Sequence, residues 1–286
     1  ATLIGRAGIE RKYNQYLEGK NGSKTIEVNA SGQPVGYVGG TPAVSGNNIR
    51  LTLDANLQKA AEDAIDSQVK ILAKSGIYAT GASAVAIDPN SGAVLAMVSE
   101  PSYDPNRFSK GISTADWNQI INNKNHPMQN RTIASMYPPG SLFKVVTGAA
   151  ALEAKVMSPT ERIFDSGKHW LVDKRNAQGE AFGWIDFYEA LEKSDNVYFY
   201  EMGRRLGIDK LSQMAREFGL GKPTGIDLAG EADGNVASEE YKKKVFDQDW
   251  YLGETMDAAI GQSYTLTTPI QMAMVYSSIA NGGFKY

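Results

Sequence analysis

The chain has 286 residues, with 29 Lys and Arg against 32 Asp and Glu, a net charge of −3 and no cysteine. This length and composition predict an ordinary globular protein with one large domain and a small appendage. The basic residues are scattered, which excludes nucleic acid as a partner. The lack of cysteine excludes disulfides and thiolate metal sites, and no apolar run is long enough to cross a bilayer.

The first fifty residues predict a helix, a hairpin and a linker. Apolar residues recur at helical spacing between Gly5 and Gly19, which predicts a short amphipathic helix. Residues 24–35 alternate in polarity around a turn at residues 29–32, which is typical of a β-hairpin. The glycine-rich residues 36–46 are interpreted as a linker, and we expect a domain boundary near Asn48.

A helix followed by an antiparallel strand pair is predicted beyond this boundary. Asp54 is a suitable N-cap for a helix that ends at Gly76. Two β-rich runs then flank the turn at residues 89–92, which predicts antiparallel pairing and an α+β fold. Much of the remainder is predicted to be helical, in the segments 150–156, 187–206, 210–218 and 269–280.

The first candidate for chemistry is a Ser-x-x-Lys pattern at Ser141 and Lys144, which opens an apolar run, residues 145–154, typical of a buried helix. Three residues make just under one turn, so the amine and the hydroxyl lie on the same face. A lysine whose pKa is lowered by burial can take the serine proton, and free N–H groups of the first helical turn can stabilise an oxyanion. The same short pattern arises by chance at Ser67 and Lys70, which we interpret as helix surface.

The second candidate is the tripeptide Ser194-Asp195-Asn196, between two predicted helical stretches. One interpretation is structural, with Ser194 capping the next helix and Asn196 as a satisfied turn residue. The other is functional, with Ser194 relaying a proton to the leaving amine while Asn196 orients Lys144 and the substrate amide. The tripeptide by itself leaves both interpretations open.

The two candidates together resemble a known family. The segment YPPGSLFK followed by SDN is similar to the first two active-site motifs of the penicillin-binding proteins and serine β-lactamases. Further segments occur in the order found in class B penicillin-binding proteins, most like the cell-elongation type: GRAGIERKYNQYLEG, NNIRLTLDANLQKAAEDAI, AIDPNSGAVLAMVS, FGLGKPTGIDLAGE and AAIGQSYTLTTPIQMA. The resemblance spans essentially the whole chain, with departures at Ala229 and Ser263, where the relatives usually have proline and glycine.

The resemblance implies the α+β fold of the β-lactamases and transpeptidases, an antiparallel sheet flanked by helices beside an all-helical subdomain, with Ser141 at their junction. Residues 1–48 would be the remnant of an N-terminal pedestal, and residues 49–286 the transpeptidase domain. The family's third motif, Lys-Thr/Ser-Gly, normally follows later than Tyr286, where this chain stops. We therefore expect a C-terminally incomplete domain, and the missing strand could leave this fragment inactive.

The implied activity is that of a peptidoglycan D,D-transpeptidase that needs no cofactor. Ser141 would attack a D-alanyl-D-alanine stem peptide with Lys144 as its base, and the amine of a neighbouring stem would resolve the acyl-enzyme. The resemblance implies three partners: peptidoglycan stem peptides, β-lactam antibiotics that acylate the same serine, and a membrane-embedded glycan polymerase. It also implies a location on the extracytoplasmic face of the bacterial membrane, anchored by an N-terminal segment absent from this chain.

Several alternatives remain open. A serine β-lactamase or D,D-carboxypeptidase would share the fold but must activate water for deacylation, and the sequence indicates no carboxylate for that step. A non-catalytic β-lactam sensor or scaffold is the alternative outside enzymes. Asp165, His169 and Asp173 recur four apart and would align as metal ligands on a helix, but their segment is more typical of a turn and a strand. The lysine-rich residues 241–246 are interpreted as a solvated helix face.

Overall fold

A computed structural model describes residues 4–108 and 111–286. The strands are β1 (Ser23–Val28), β2 (Pro34–Thr41), β3 (Ala82–Ile87), β4 (Val94–Glu100), β5 (Ile163–Asp165) and β6 (Gly183–Ile185). The helices are α1 (Gly8–Lys12), α2 (Asn14–Leu17), α3 (Ala55–Lys74), α4 (Thr114–Ile121), α5 (Arg131–Ala134), α6 (Lys144–Glu153), α7 (Phe187–Glu192), α8 (Asn196–Leu206), α9 (Ile208–Glu217), α10 (Glu239–Phe246), α11 (Leu252–Ala259) and α12 (Pro269–Ala280). Within these described ranges, no helix is both long and apolar enough to span a membrane.

One compact unit comprises the described residues up to Thr52 together with the segment Gly225–Gly230. The helix predicted between Gly5 and Gly19 is divided into α1 and α2 at Tyr13, whose φ of −108° departs from helical geometry. The hairpin is confirmed, because β1 and β2 pair antiparallel around the predicted turn. The Tyr13 hydroxyl donates to the Asp227 carboxylate, so a side chain of the later segment bonds to one from the start of the chain.

The predicted linker at residues 36–46 is partly wrong, because β2 continues through Thr41. Glycine in this segment allows the two strands to approach each other closely. A Cβ atom at Gly40 would lie only 2.0 Å from the carbonyl oxygen of Ser23 on the paired strand. The glycines of this segment therefore indicate that two backbones approach each other closely, and not that the segment is an unstructured linker.

The second unit contains residues 53–224 and 231–286. As predicted, Asp54 caps α3, its carboxylate accepting from the backbone N–H groups of Asn56 at 2.8 Å and Leu57 at 3.0 Å. Strands β3 and β4 pair antiparallel about the predicted turn. Helix α3 packs on β4, and α12 packs on β3, so this sheet is flanked by helices.

The core of the second unit lies among α6, α8, α9 and α11. Its most buried large side chains include Phe143, Tyr198, Phe199, Met202, Leu211 and Met256. The combination of a helix-flanked antiparallel sheet with this helical region confirms the expected α+β class. The helices predicted at 210–218 and 269–280 are confirmed as α9 and α12, whereas the one predicted at 187–206 is interrupted between α7 and α8.

The lysine-rich segment of α10 corrects a prediction. Lys242 is buried rather than solvated, and its Nζ donates to the Asp249 carbonyl at 2.7 Å and to the Glu254 carboxylate at 2.8 Å. The neighbouring Lys243 is exposed. A run of three lysines could not reveal this difference, because only the packing of α10 against its surroundings decides which side chain turns inward.

Candidate active site

Ser141 lies in a 3-10 turn, Gly140–Phe143, immediately before α6. The turn is fixed by the chain after α11, since the Gly140 backbone N–H donates to the Gly261 carbonyl at 2.9 Å. The two backbones are so close that a Cβ atom at Gly261 would lie 2.2 Å from the Gly140 carbonyl oxygen. The sequence predicts Ser141 at the start of a helix. It lies instead in the tighter 3-10 turn that precedes the helix, and Lys144 is the first α-helical residue.

Lys144 is buried, with a relative exposure of 1 %. Its Nζ makes three hydrogen bonds: to the Ser194 carbonyl oxygen at 2.6 Å, to the Ser194 Oγ at 3.1 Å and to the Asn196 Oδ1 at 2.7 Å. These contacts connect residues of the two motifs that the sequence singled out. An ammonium group has three N–H donors, so the arrangement satisfies the protonated lysine.

Ser194 connects the Lys144 amine to the Ser141 hydroxyl. Its Oγ donates to the Ser141 Oγ at 2.9 Å, which makes a continuous path from Lys144 through Ser194 to Ser141. Ser194 has a φ of +54°, a left-handed conformation that is strained for a residue with a Cβ atom and is often found at functional sites. The helix cap is not Ser194 but Asp195, whose carboxylate accepts from the Tyr198 backbone N–H at 2.8 Å.

Burial sets the charge states of the site. It lowers the pKa of Lys144 from its usual value to about 8, against an opposing effect of the Asp195 carboxylate. Burial also raises the pKa of Asp195 to about 6, and the neighbouring Asp165 carboxylate acts in the same direction. The lowered pKa makes the neutral amine, the form that can accept a proton, easier to reach than in an exposed lysine.

The serines open onto a cleft with a volume of about 300 Å³. Its lining residues are Gly140, Ser141, Asn176, Ala177, Glu180, Phe182, Lys193, Ser194, Asn196, Ile260 and Gln262. Sequence reasoning missed Asn176 and Glu180, which belong to no recognised motif, and gave no role to Gln262, which lies in the quoted segment AAIGQSYTLTTPIQMA. No spacing rule connects them to Ser141, because the cleft is formed by segments distant along the chain.

The competing candidates are not brought together. Ser67 and Lys70 are exposed on α3, as expected for a chance pattern. Asp165 bonds to Asn176, His169 pairs with Glu201 at 3.2 Å, and Asp173 forms surface ion pairs with Lys168 and Arg175. In the part of the chain that the structure describes, no group of three such side chains is placed to hold a metal ion.

Comparison with protein-family models matches residues 82–286 to the penicillin binding protein transpeptidase domain and residues 1–51 to the penicillin-binding protein dimerisation domain. Among curated proteins, the chain is 39% identical over 284 residues to the peptidoglycan D,D-transpeptidase MrdA of Escherichia coli K12, covering 98% of this chain and 43% of the relative. MrdA of Salmonella typhimurium is 38% identical, with 44% of its length covered. The chain thus spans less than half the length of these relatives.

Solved structures agree with these matches. Pseudomonas aeruginosa PBP2, solved in complex with WCK 5153, superposes with a TM-score of 0.80 at 37% identity, over 98% of this chain and 57% of that chain. PBP2 of Helicobacter pylori, in its complex with MreC, gives a TM-score of 0.84 at 33% identity, over 98% of this chain and 50% of that chain. The fold is therefore shared with these proteins.

Proposed function

Because this chain belongs to the class B penicillin-binding proteins, we propose that it is a peptidoglycan D,D-transpeptidase that cross-links stem peptides through an acyl-enzyme on Ser141. One observation supports this function above the others: the continuous hydrogen-bonded path from Lys144 through Ser194 to Ser141 at the edge of the cleft. A buried amine of lowered pKa at the end of such a path is an arrangement that activates a serine.

The path implies how the proton moves. In the neutral form of Lys144, the Ser194 hydroxyl donates to Nζ and in turn accepts from the Ser141 hydroxyl. As the Ser141 oxygen bonds to the carbonyl carbon of the donor stem, its proton passes to Ser194 while the Ser194 proton passes to Lys144. When the peptide C–N bond breaks, the same path returns a proton to the departing D-alanine amine, which leaves the acyl-enzyme and a neutral lysine.

Asn196 has two roles in this proposal. Its Oδ1 accepts from Lys144, which holds the amine within reach of Ser194. This assignment of the carboxamide leaves Nδ2 to donate to an amide carbonyl of the bound stem peptide. An acceptor amine from a neighbouring stem then attacks the ester carbonyl and gives a proton through Ser194 to Lys144. As the ester C–O bond breaks, the same path returns a proton to the Ser141 oxygen, which leaves the cross-linked amide and the free enzyme.

The domain division, partners and location complete the proposal. We assign residues 1–48 to a pedestal remnant and residues 49–286 to the catalytic domain, in keeping with the match of residues 1–51 to the dimerisation-domain model. The substrates are stem peptides, which places the protein on the extracytoplasmic side of the bacterial membrane. A membrane-embedded glycan polymerase is the proposed partner, and a similar solved structure, 33% identical to this chain, concerns coordination of polymerization and crosslinking by a peptidoglycan synthase complex.

The experiment that tests the function has two measurements. The first is the intact mass before and after exposure to benzylpenicillin, with peptide mapping of the adduct. We expect one penicilloyl group on Ser141, none in Ser141→Ala, and an unchanged adduct in Ser67→Ala, the matched control from the chance motif. The second is release of D-alanine with formation of cross-linked product from stem peptides. An adduct without turnover of peptide would indicate a sensor instead of an enzyme.

Glu180 favours a second candidate, the D,D-carboxypeptidase. This acidic residue lines the cleft, and a carboxylate near the acyl-enzyme could activate water for hydrolysis. The two activities differ in the acceptor: a carboxypeptidase releases D-alanine and leaves a free tetrapeptide, whereas a transpeptidase consumes a second stem. Product analysis by mass spectrometry, with and without an added acceptor amine, distinguishes them.

A further inference from the structure

Asn176 is a buried residue of the loop between β5 and β6 that no motif of the sequence includes. Its side chain uses both halves of its amide. Oδ1 accepts from the backbone N–H groups of Asn196 at 2.8 Å and Val197 at 3.1 Å. Nδ2 donates to the Asp165 carboxylate at 2.8 Å and to the Glu180 carbonyl at 3.0 Å. Four hydrogen bonds satisfy every donor and both acceptor positions of a carboxamide.

The two N–H groups that Asn176 accepts from belong to the first turn of α8, where backbone donors have no partner within the helix. The third N–H of this turn, that of Tyr198, bonds to the Asp195 cap. The turn that carries Ser194 and Asn196 is thus held from two sides. Asn176 supplies the side that faces the cleft, which it also lines.

Asn176 is itself fixed by Asp165, which has a relative exposure of 1 %. One Asp165 oxygen accepts from the Gly167 N–H at 2.6 Å, and the other accepts from Asn176 and from the Phe182 N–H at 2.8 Å. The Asp165 carboxylate therefore connects the two ends of the loop between β5 and β6. This network lets the loop act as a rigid support for the start of α8.

We infer that Asn176, anchored by Asp165, is a positioning residue that holds Ser194 and Asn196 against Lys144. The inference rests on the proposed function, because it assigns Asn176 to the same reaction. The strained left-handed backbone of Ser194 supports it, since such a conformation persists only where surrounding bonds enforce it. The two N–H bonds to Asn176 begin two residues after Ser194, so their loss would release the turn locally.

The carboxylates around Asn176 decide which substitutions are informative. Asp195 is fully buried, and its Oδ2 has no hydrogen-bond partner among the described residues. Its neighbour Asp165 already disfavours its ionisation. Asn176→Asp would add a third carboxylate to this cluster, so an effect of the added charge could not be separated from an effect of the lost support for the turn. Asn176→Ala and the milder Asn176→Ser remove the supporting amide without adding charge.

The test measures acylation by saturating benzylpenicillin as a first-order rate constant per titratable serine, together with the fraction of serines that titrate. Asn176→Ala should acylate roughly 10- to 100-fold more slowly at each site, as expected when reacting groups are displaced by about 1 Å. The titratable fraction should stay near that of the wild type. Asn176→Ser should lie between them, and it replaces the alanine variant if that variant fails to fold.

The matched control is Ser238→Ala, which removes another buried helix cap, the one that accepts from Tyr241 N–H at the start of α10. It should lower the melting temperature without changing the rate constant per site. Asn176 variants that lose titratable sites but retain the wild-type rate constant would overturn the inference and leave the proposed function intact. A wild-type protein that forms no adduct on Ser141 would overturn both.

Discussion

The Ser194 hydroxyl donates a 2.9 Å hydrogen bond to the Ser141 hydroxyl and accepts one of 3.1 Å from the Lys144 Nζ, so it connects the two side chains. Removing this link in Ser194→Ala should slow acylation of Ser141 by roughly 100-fold, the scale of one lost proton-transfer step. The adduct should still map to Ser141. Quenched-flow mass spectrometry of the benzylpenicillin reaction measures the rate.

The same relay predicts non-additive losses. If Ser194 and Lys144 act as one unit, the double variant Ser194→Ala/Lys144→Ala should acylate no more slowly than Lys144→Ala by itself. Losses that multiply in the double variant would mean that the two residues act independently, contrary to the path seen in the structure.

The rate of acylation should depend on the protonation of Lys144. Because the neutral amine is the proposed base and burial lowers its pKa to about 8, the rate should rise with pH from 6 to 9 and level off above the pKa. Lys144→Arg should be inactive throughout, since a guanidinium stays protonated. A rate profile for the wild type that is flat between pH 6 and 9 would exclude Lys144 as the titrating base.

Asp195→Asn should stabilise the protein at neutral pH. Burial raises the pKa of Asp195 in the folded protein to about 6, above its pKa in the unfolded chain. The contribution of this group to stability is therefore fully present at a pH below the unfolded-state pKa, and it is lost as the pH rises through about 6. The amide keeps the acceptor for the Tyr198 N–H and avoids the buried charge, worth about 2 to 3 kcal/mol for a shift of this size. Melting temperatures should favour the variant at pH 8 and differ less at pH 5.

The same substitution should also act on Lys144. The Asp195 carboxylate raises the lysine pKa, against the larger effect of burial. Its neutralisation should therefore move the rise in acylation rate to lower pH. A midpoint that moves to higher pH, or does not move, would show that the two charges do not interact as their burial implies.

Lys242 and Lys243 provide a matched pair on α10. Lys242→Ala removes a buried cation and leaves the Glu254 carboxylate without it, so the melting temperature should fall by several degrees. Lys243→Ala removes an exposed lysine whose surface ion pair with Asp247 contributes little, and it should change the melting temperature far less. Equal effects of the two substitutions would restore the interpretation of this segment as a solvated face.

A substitution of Glu180, which lines the cleft, distinguishes a transpeptidase from a carboxypeptidase. For a transpeptidase, we expect a long-lived penicilloyl adduct whose lifetime is unchanged in Glu180→Gln. A carboxypeptidase that uses Glu180 to activate water would instead hydrolyse the adduct, and the same variant would lengthen its lifetime. The decay of the adduct mass after removal of free benzylpenicillin measures this lifetime directly.

Local features of the sequence were sufficient where a single segment carries its own boundary signals. Helix α12 begins at Pro269 after the capping residue Thr268 and has the predicted bounds. The caps, the hairpin turns and the pairing of β3 with β4 depend on residues within a few positions of one another. The Ser141 and Lys144 pattern is local in the same sense, since three residues of helical chain place both groups on one face.

Tertiary structure decided what lies between distant segments. The placement of Ser194 between Lys144 and Ser141 depends on how the start of α8 packs beside α6, and the support from Asn176 depends on a loop that returns to the same turn. The burial of Lys242 likewise follows from the neighbours of α10. The contacts of Ser194 with Ser141 and of Asn176 with α8 join residues tens of positions apart, and no period or spacing along the chain encodes them. The sequence thus determined which side chains could react, and packing determined the hydrogen-bonded path that connects them.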